Sequence, residues 1–166
     1  MKASPKYFFI TAMIIVPLVG CVSVNMKPEQ ATKSEGYSFA NPGNNFEEWK
    51  TDLADHAWKS TKTGNMISVI SECSKKKDPS LTSIEGEALQ ALTDVKVLST
   101  EEKIFSGRGA LQTTVQGKLD GIRMKMEVLS IKKNFCSYTF SYTGRDNQFE
   151  QEAAIFSQFL SGISIQ

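Results

Sequence analysis

The sequence predicts an α+β domain, an antiparallel sheet with helices packed on it, and three observations predict it. Along 122–128, Ile122, Met124, Met126 and Val128 face one way while Arg123, Lys125 and Glu127 face the other, the period of a half-buried antiparallel strand. Two segments instead repeat apolar residues every three or four positions: Leu81, Ile84, Ala88, Leu89 and Leu92, then Phe149, Ala153, Phe156, Leu160 and Ile163. That is the stripe of an amphipathic helix. Short glycine-bounded turns such as 117–121 separate the strands, which suits hairpins.

The elements follow in order. Tyr37-Ser38-Phe39 predicts a short strand stopped by Asn41-Pro42-Gly43. Phe46, Trp49, Leu53 and Ala57 fall at helical spacing, and Asn45 with Glu48 imitates a capping box, so a short helix is expected there. Trp58 to Thr61 reads as a strand, 62–65 as a turn, and 66–73 as a strand with Ile67, Val69, Ser71 and Cys73 on one face. Asp78 and Pro79 suit the cap and first position of the first striped helix. Strands are expected from Val95 to Phe105 and from Ala110 to Gln116, then at 122–128. After Lys133-Asn134 turns, Cys136, Tyr138, Phe140 and Tyr142 form the apolar face of a last strand, and the second striped helix closes the chain.

The N-terminus carries its own pattern. Lys2 and Lys6 precede an apolar run over 7–19, which is short for a bilayer span of roughly 20 residues. A charged start, a brief apolar stretch and small residues are the parts of an export signal. The run ends in Leu18-Val19-Gly20-Cys21, which resembles the lipobox of bacterial lipoproteins. The resemblance implies diacylglyceryl transfer to the Cys21 thiol, cleavage after Gly20, and acylation of the new amino group. Val22 stands where an aspartate retains lipoproteins at the inner membrane, which resembles outer-membrane cargo facing the periplasm. The expected organisation is a signal peptide at 1–20, a lipidated cysteine and flexible tether at 21–36, and one domain at 37–166. An uncleaved anchor helix is the competing reading.

Without residues 1–20 the chain holds seventeen Lys and Arg against eighteen Asp and Glu, a net charge of −1. Such a balance gives no electrostatic footprint for nucleic acid. Roughly 145 residues suit one core. Cys73 and Cys136 remain after Cys21, and an exported domain favours a bridge between them. Two buried free thiols are the alternative.

A second resemblance spans 37–166. The Tyr37-Ser38-Phe39 strand near Pro42-Gly43, a hairpin through Gly107-Arg108-Gly109-Ala110 and Leu119-Asp120-Gly121, the aromatic strand and the Phe-rich terminal helix resemble a PsbP-like α/β/α domain. A Ser-Glu-Cys strand end paired with a later Cys-x-Tyr strand is also similar to uncharacterised bacterial lipoproteins. These resemblances imply a fold and no activity; PsbP-like domains mostly assist larger membrane assemblies.

The chemistry on offer is sparse. His56 is the lone histidine, and no Gly-x-Ser-x-Gly elbow supplies a nucleophile for it. A helical contact with Asp52 is one reading of it; a surface histidine is the plainer one. One histidine and two cysteines fall short of a zinc site, so no metal or cofactor is expected. Gly107-Arg108-Gly109 lacks the spacing of a phosphate loop. Lys75-Lys76-Lys77 is either a solvated loop or a contact for anionic headgroups.

The expectation is therefore a non-catalytic envelope module, held to the membrane by lipid and meeting an envelope protein. A carrier of a lipid or other apolar ligand is the alternative, with Trp49, Trp58, Met124, Met126, Tyr138 and Phe140 lining its groove. An envelope hydrolase stands third.

Overall fold

The structure is a computed structural model that describes residues 32–43 and 45–166. The signal at 1–20, the lipobox with Cys21 and tether residues 22–31 lie outside the described residues. The order is β1 (Tyr37–Ser38), β2 (Phe46–Glu48), β3 (His56–Ser60), β4 (Met66–Cys73), α1 (Leu81–Ala88), β5 (Thr93–Phe105), β6 (Arg108–Leu119), β7 (Ile122–Lys133) and β8 (Cys136–Arg145). A 3-10 turn (Phe149–Gln151), α2 (Ala153–Ser161) and β9 (Ser164–Ile165) follow. One antiparallel sheet runs β2-β3-β4-β8-β7-β6-β5, and β1 pairs with β9 apart from it.

Register decides what each face of the sheet becomes. Val69 opposes Phe140, and Phe140 opposes Leu129, so all three lie on one side. Trp58, Ile67, Tyr138, Tyr142 and Ile131 share that side and form a core with Phe156 and Phe159 of α2. Tyr142 stacks on Phe156 at 5.7 Å, and Phe159 meets Trp58 edge-on at 5.5 Å. The opposite side buries Val115, Val128, Thr113 and Ser130, and Ile84 of α1 comes down there over Ile70 and Thr139. The sheet thus lies between α2 and α1, the α+β layering expected. Burying apolar surface on both faces favours this sandwich by roughly 25 cal/mol per Å².

Three expectations fail locally. Residues 46–57 form no helix: Phe46 is buried in β2 and pairs with Ser60, while Trp49 and Leu53 are exposed. Their spacing arises because a strand, a loop and a second strand happen to put apolar residues three and four apart. Helix α1 is capped by Ser80, whose hydroxyl accepts from the Ser83 amide at 3.1 Å. Asp78 instead meets Lys132 at 2.7 Å. Residues 32–36, expected in the tether, are bound to the domain. Thr32 exchanges backbone hydrogen bonds with Cys73, and Ser34 donates its amide to the Ser71 hydroxyl at 2.8 Å.

Candidate functional site

The strongest concentration of chemistry lies at one end of the sheet, where β4 stops and β8 starts. Cys73 and Cys136 are directly opposed. The Cys73 amide and carbonyl both turn outward to Thr32, so toward β8 the cysteines form a non-hydrogen-bonded pair, the closer of the two antiparallel pair types. Their Cα atoms are 4.0 Å apart and the sulfurs are bonded. Of the two readings the sequence left open, the bridge is the one present.

Just beyond the bridge, β7 turns into β8 through Asn134 and Phe135, which hold φ of 54° and 63°. Asparagine tolerates the left-handed region; a bulky aromatic residue there is an outlier. Phe135 is nevertheless 72% exposed, so packing does not compensate the strain. Its carbonyl accepts from the Ser74 amide at 2.9 Å, which ties this turn to the loop leading into α1.

Between the two loops runs an open groove of about 530 Å³. Six cations line it (Lys75, Lys76, Lys77, Arg108, Lys132 and Lys133) against three carboxylates, Glu72, Asp78 and Glu87. Lys77 reaches Glu72 at 3.5 Å and Lys132 reaches Asp78 at 2.7 Å. Exposed pairs of this kind contribute about 0–1 kcal/mol, so they do not commit the lysines. A chain of net charge −1 after residue 20 therefore keeps a local positive excess at its disulfide end.

Behind the groove a buried polar cluster fastens the incoming chain. Asp55 Oδ2 accepts from the Ser71 amide at 2.7 Å and the Ser71 hydroxyl at 2.6 Å, and Lys33 lies 3.1 Å from Oδ1. Ser34 Oγ bonds the Tyr138 hydroxyl at 2.9 Å. Burial, reinforced by the Asp55 charge, pushes the Tyr37 phenol up to about 12, so it stays neutral beside that carboxylate. Sequence reading missed this cluster, although Ser71 was a signal: a hydroxyl on the apolar face of β4 needs a partner once buried.

The six side chains expected around a ligand groove are not brought together. Trp58, Tyr138 and Phe140 are core residues of the α2 side. Met126 opposes Thr143 and Met124 opposes Arg145, so both methionines point to the α1 side of the sheet. Trp49 is exposed, with the Lys59 ammonium 4.7 Å above its ring. His56 is an exposed residue, as the surface reading had it, with its ring 4.8, 6.1 and 5.9 Å from those of Phe39, Tyr37 and Trp58. With no helix there, the spacing from Asp52 to His56 gives no shared face, and the Asp55 carboxylate is occupied by Ser71 and Lys33.

Comparison with known structures bears on the frame that carries this site. No protein-family model matches the sequence, and no curated protein is significantly similar to it. Solved structures do match. LpqN, involved in cell envelope biogenesis of Mycobacterium tuberculosis, superposes with a TM-score of 0.65 at 12% identity, over 82% of this chain and 91% of LpqN. The cyanobacterial PsbP (CyanoP) of Synechocystis sp. PCC 6803 gives a TM-score of 0.56 at 15% identity, over 91% of this chain and all of CyanoP. The fold is PsbP-like. At such identities the likeness extends to the sandwich and no further. Among the described residues no helix is long and apolar enough to cross a membrane.

Proposed function

We propose that this chain is a lipid-anchored, periplasm-facing accessory module of the cell envelope that acts by contact and not by catalysis, with the outer membrane as its address. The observation that carries the reading is the Cys73–Cys136 bridge. The lipobox-like motif assigns Cys21 to acylation, the bridge uses the other two thiols, and structural bridges persist in oxidising compartments. A PsbP-like fold shared with LpqN, a protein involved in envelope biogenesis, supports the same surroundings. The carrier reading loses its groove because its residues divide between two faces of the sheet. Against the hydrolase reading, the Asp55 carboxylate beside the exposed His56 is already bound to Ser71 and Lys33.

Cys21→Ser in the full chain, expressed in its host, tests the anchor. The unsubstituted protein is expected in the membrane fraction and the variant is expected to leave it; equal membrane retention of both contradicts the reading. Photo-crosslinking in intact cells tests the mode of action, with an envelope protein as the expected adduct. An enzymatic turnover abolished by His56→Ala contradicts it.

A further inference from the structure

The structure points to a second membrane contact: we infer that the disulfide end is a docking face for an anionic lipid surface, with Phe135 as its apolar tip and Lys75 and Lys77 beside it. The inference rests on the anchored reading for its geometry, and on four observations for its chemistry.

First, the groove end carries six cations against three carboxylates; Lys133 turns inward to the Ile165 carbonyl, and the ion pairs of Lys77 and Lys132 remain open to water on at least one side. Lysines near a negatively charged bilayer gain about fivefold in binding each, from roughly 1 kcal/mol. Second, Phe135 projects at the apex with 72% of its surface free. A ring at this level suits the headgroup boundary, where aromatic side chains are enriched. Third, the backbone at Phe135 is left-handed. The two-residue hairpin turn itself demands that φ, but the matching place in the other two tight hairpins is held by Gly107 and Gly121, whereas here it holds an exposed aromatic ring. Fourth, the chain reaches the domain at this same end. Thr32 pairs with Cys73, and Cys21 is eleven residues earlier. Fully extended, eleven residues span at most about 40 Å, a reach that lets the Thr32 end meet the bilayer. The chain's point of entry, the cations and the ring then lie at one end of the domain. Free phosphate shares the headgroup chemistry but offers no apolar boundary for Phe135, so a lipid surface is the occupant that uses the whole face.

The test uses the full protein as isolated from its host membrane, bound to vesicles of phosphatidylcholine alone or mixed with phosphatidylglycerol. Amide hydrogen exchange is read at 74–77 and 134–135, with the opposite hairpin turn at Asp120 and Gly121 as internal reference. The expected result is slower exchange at the first two segments only, only with phosphatidylglycerol, and reversed by salt. The double variant Lys75→Glu/Lys77→Glu is expected to lower the docked population more than tenfold, from about fivefold for each lost lysine. Phe135→Gly is expected to weaken docking while leaving stability equal or higher, because glycine adopts that φ without strain. Opposite signs in those two readouts separate docking from folding.

Equal exchange in both vesicle types overturns the inference, and so does the same slowing on phosphatidylcholine with inorganic phosphate added. If the chain carries no lipid, it stays free of phosphatidylcholine vesicles and the anchored reading falls. The docking face is then judged by whether phosphatidylglycerol vesicles retain the chain and slow those two segments: retention supports it and its absence overturns it.

Discussion

Two buried carboxylates close the two ends of the α2 side of the sandwich, and they do so differently. Asp55 takes two hydrogen bonds from Ser71 and pairs with Lys33, whose side chain is largely exposed. Glu152 is 3% exposed and accepts from the hydroxyls of Ser60, at 3.0 Å, and of Thr63. Around Glu152 the packing is closed: Asn65 is fully buried, donates to the Tyr142 hydroxyl at 2.7 Å and to the Gln148 carbonyl, and lies against Gly144. Tyr142 donates in turn to the Phe149 carbonyl at 2.6 Å. The Glu152 end fastens the protein to itself. The Asp55 end fastens a segment arriving from outside the domain, and it borders an open cationic groove. A groove of about 400 Å³ lies at the Glu152 end as well, lined by Thr63, Met124, Arg145 and Gln148, so the Asp55 end is set apart by its incoming segment and its surplus of cations.

Breaking the covalent clamp at the Asp55 end is expected to have the largest effect. A cysteine pair 63 residues apart stabilises by about 4 kcal/mol in the chain-entropy model, so Cys73→Ser/Cys136→Ser should lower unfolding stability in urea by about that much. Asp55→Ala comes next, at about 3 kcal/mol, because two buried donors of Ser71 lose a charged acceptor. It should also release 32–36, read as new proteolysis before Tyr37. At the Glu152 end, Gly144→Ala places a Cβ 2.1 Å from Asn65 Oδ1, a side chain already held by two bonds. A cost of about 1–3 kcal/mol is expected there, without new proteolysis at 32–36.

Alkaline titration gives a smaller contrast. The Tyr37 phenol is raised from 10.0 to about 12 in the fold, so the unfolded chain loses that proton first. Its contribution is complete below pH 10 and is lost as pH rises to about 12. Tyr37→Phe should flatten the fall in stability across that window; Tyr142, also raised by burial, leaves part of the fall in place. Lys33→Ala is expected to cost less than about 1 kcal/mol, since that ammonium stays in water.

Much of this fold was legible in the sequence, for identifiable reasons. Strand β4 was bounded at its observed ends because β-branched residues and alternation agree from Met66 to Cys73. Both cysteines were placed on apolar faces, which made a bridge available once β4 and β8 proved to be neighbours. What alternation does not encode is pairing. It assigns Met126 and Phe140 each to an apolar face, and only the opposition of Phe140 to Leu129 shows those faces to be opposite ones. The hold on Thr32 and Ser34 was illegible for another reason: it runs through backbone groups and hydroxyls, which leave no apolar pattern. The basic run at 75–77 was visible as charge, but its company with Lys132, Lys133, Arg108 and an exposed Phe135 arises from three separate turns meeting.

The central claim is that one cysteine of this chain is joined to lipid and the other two to each other. Intact mass measurement of the protein drawn from its host envelope, with and without reductant, tests it in one sample. The account predicts a chain starting at Cys21, heavier than residues 21–166 by its acyl groups, and lighter by two hydrogens before reduction than after. A chain retaining residues 1–20, or bearing no acyl mass, or unchanged by reductant, contradicts it.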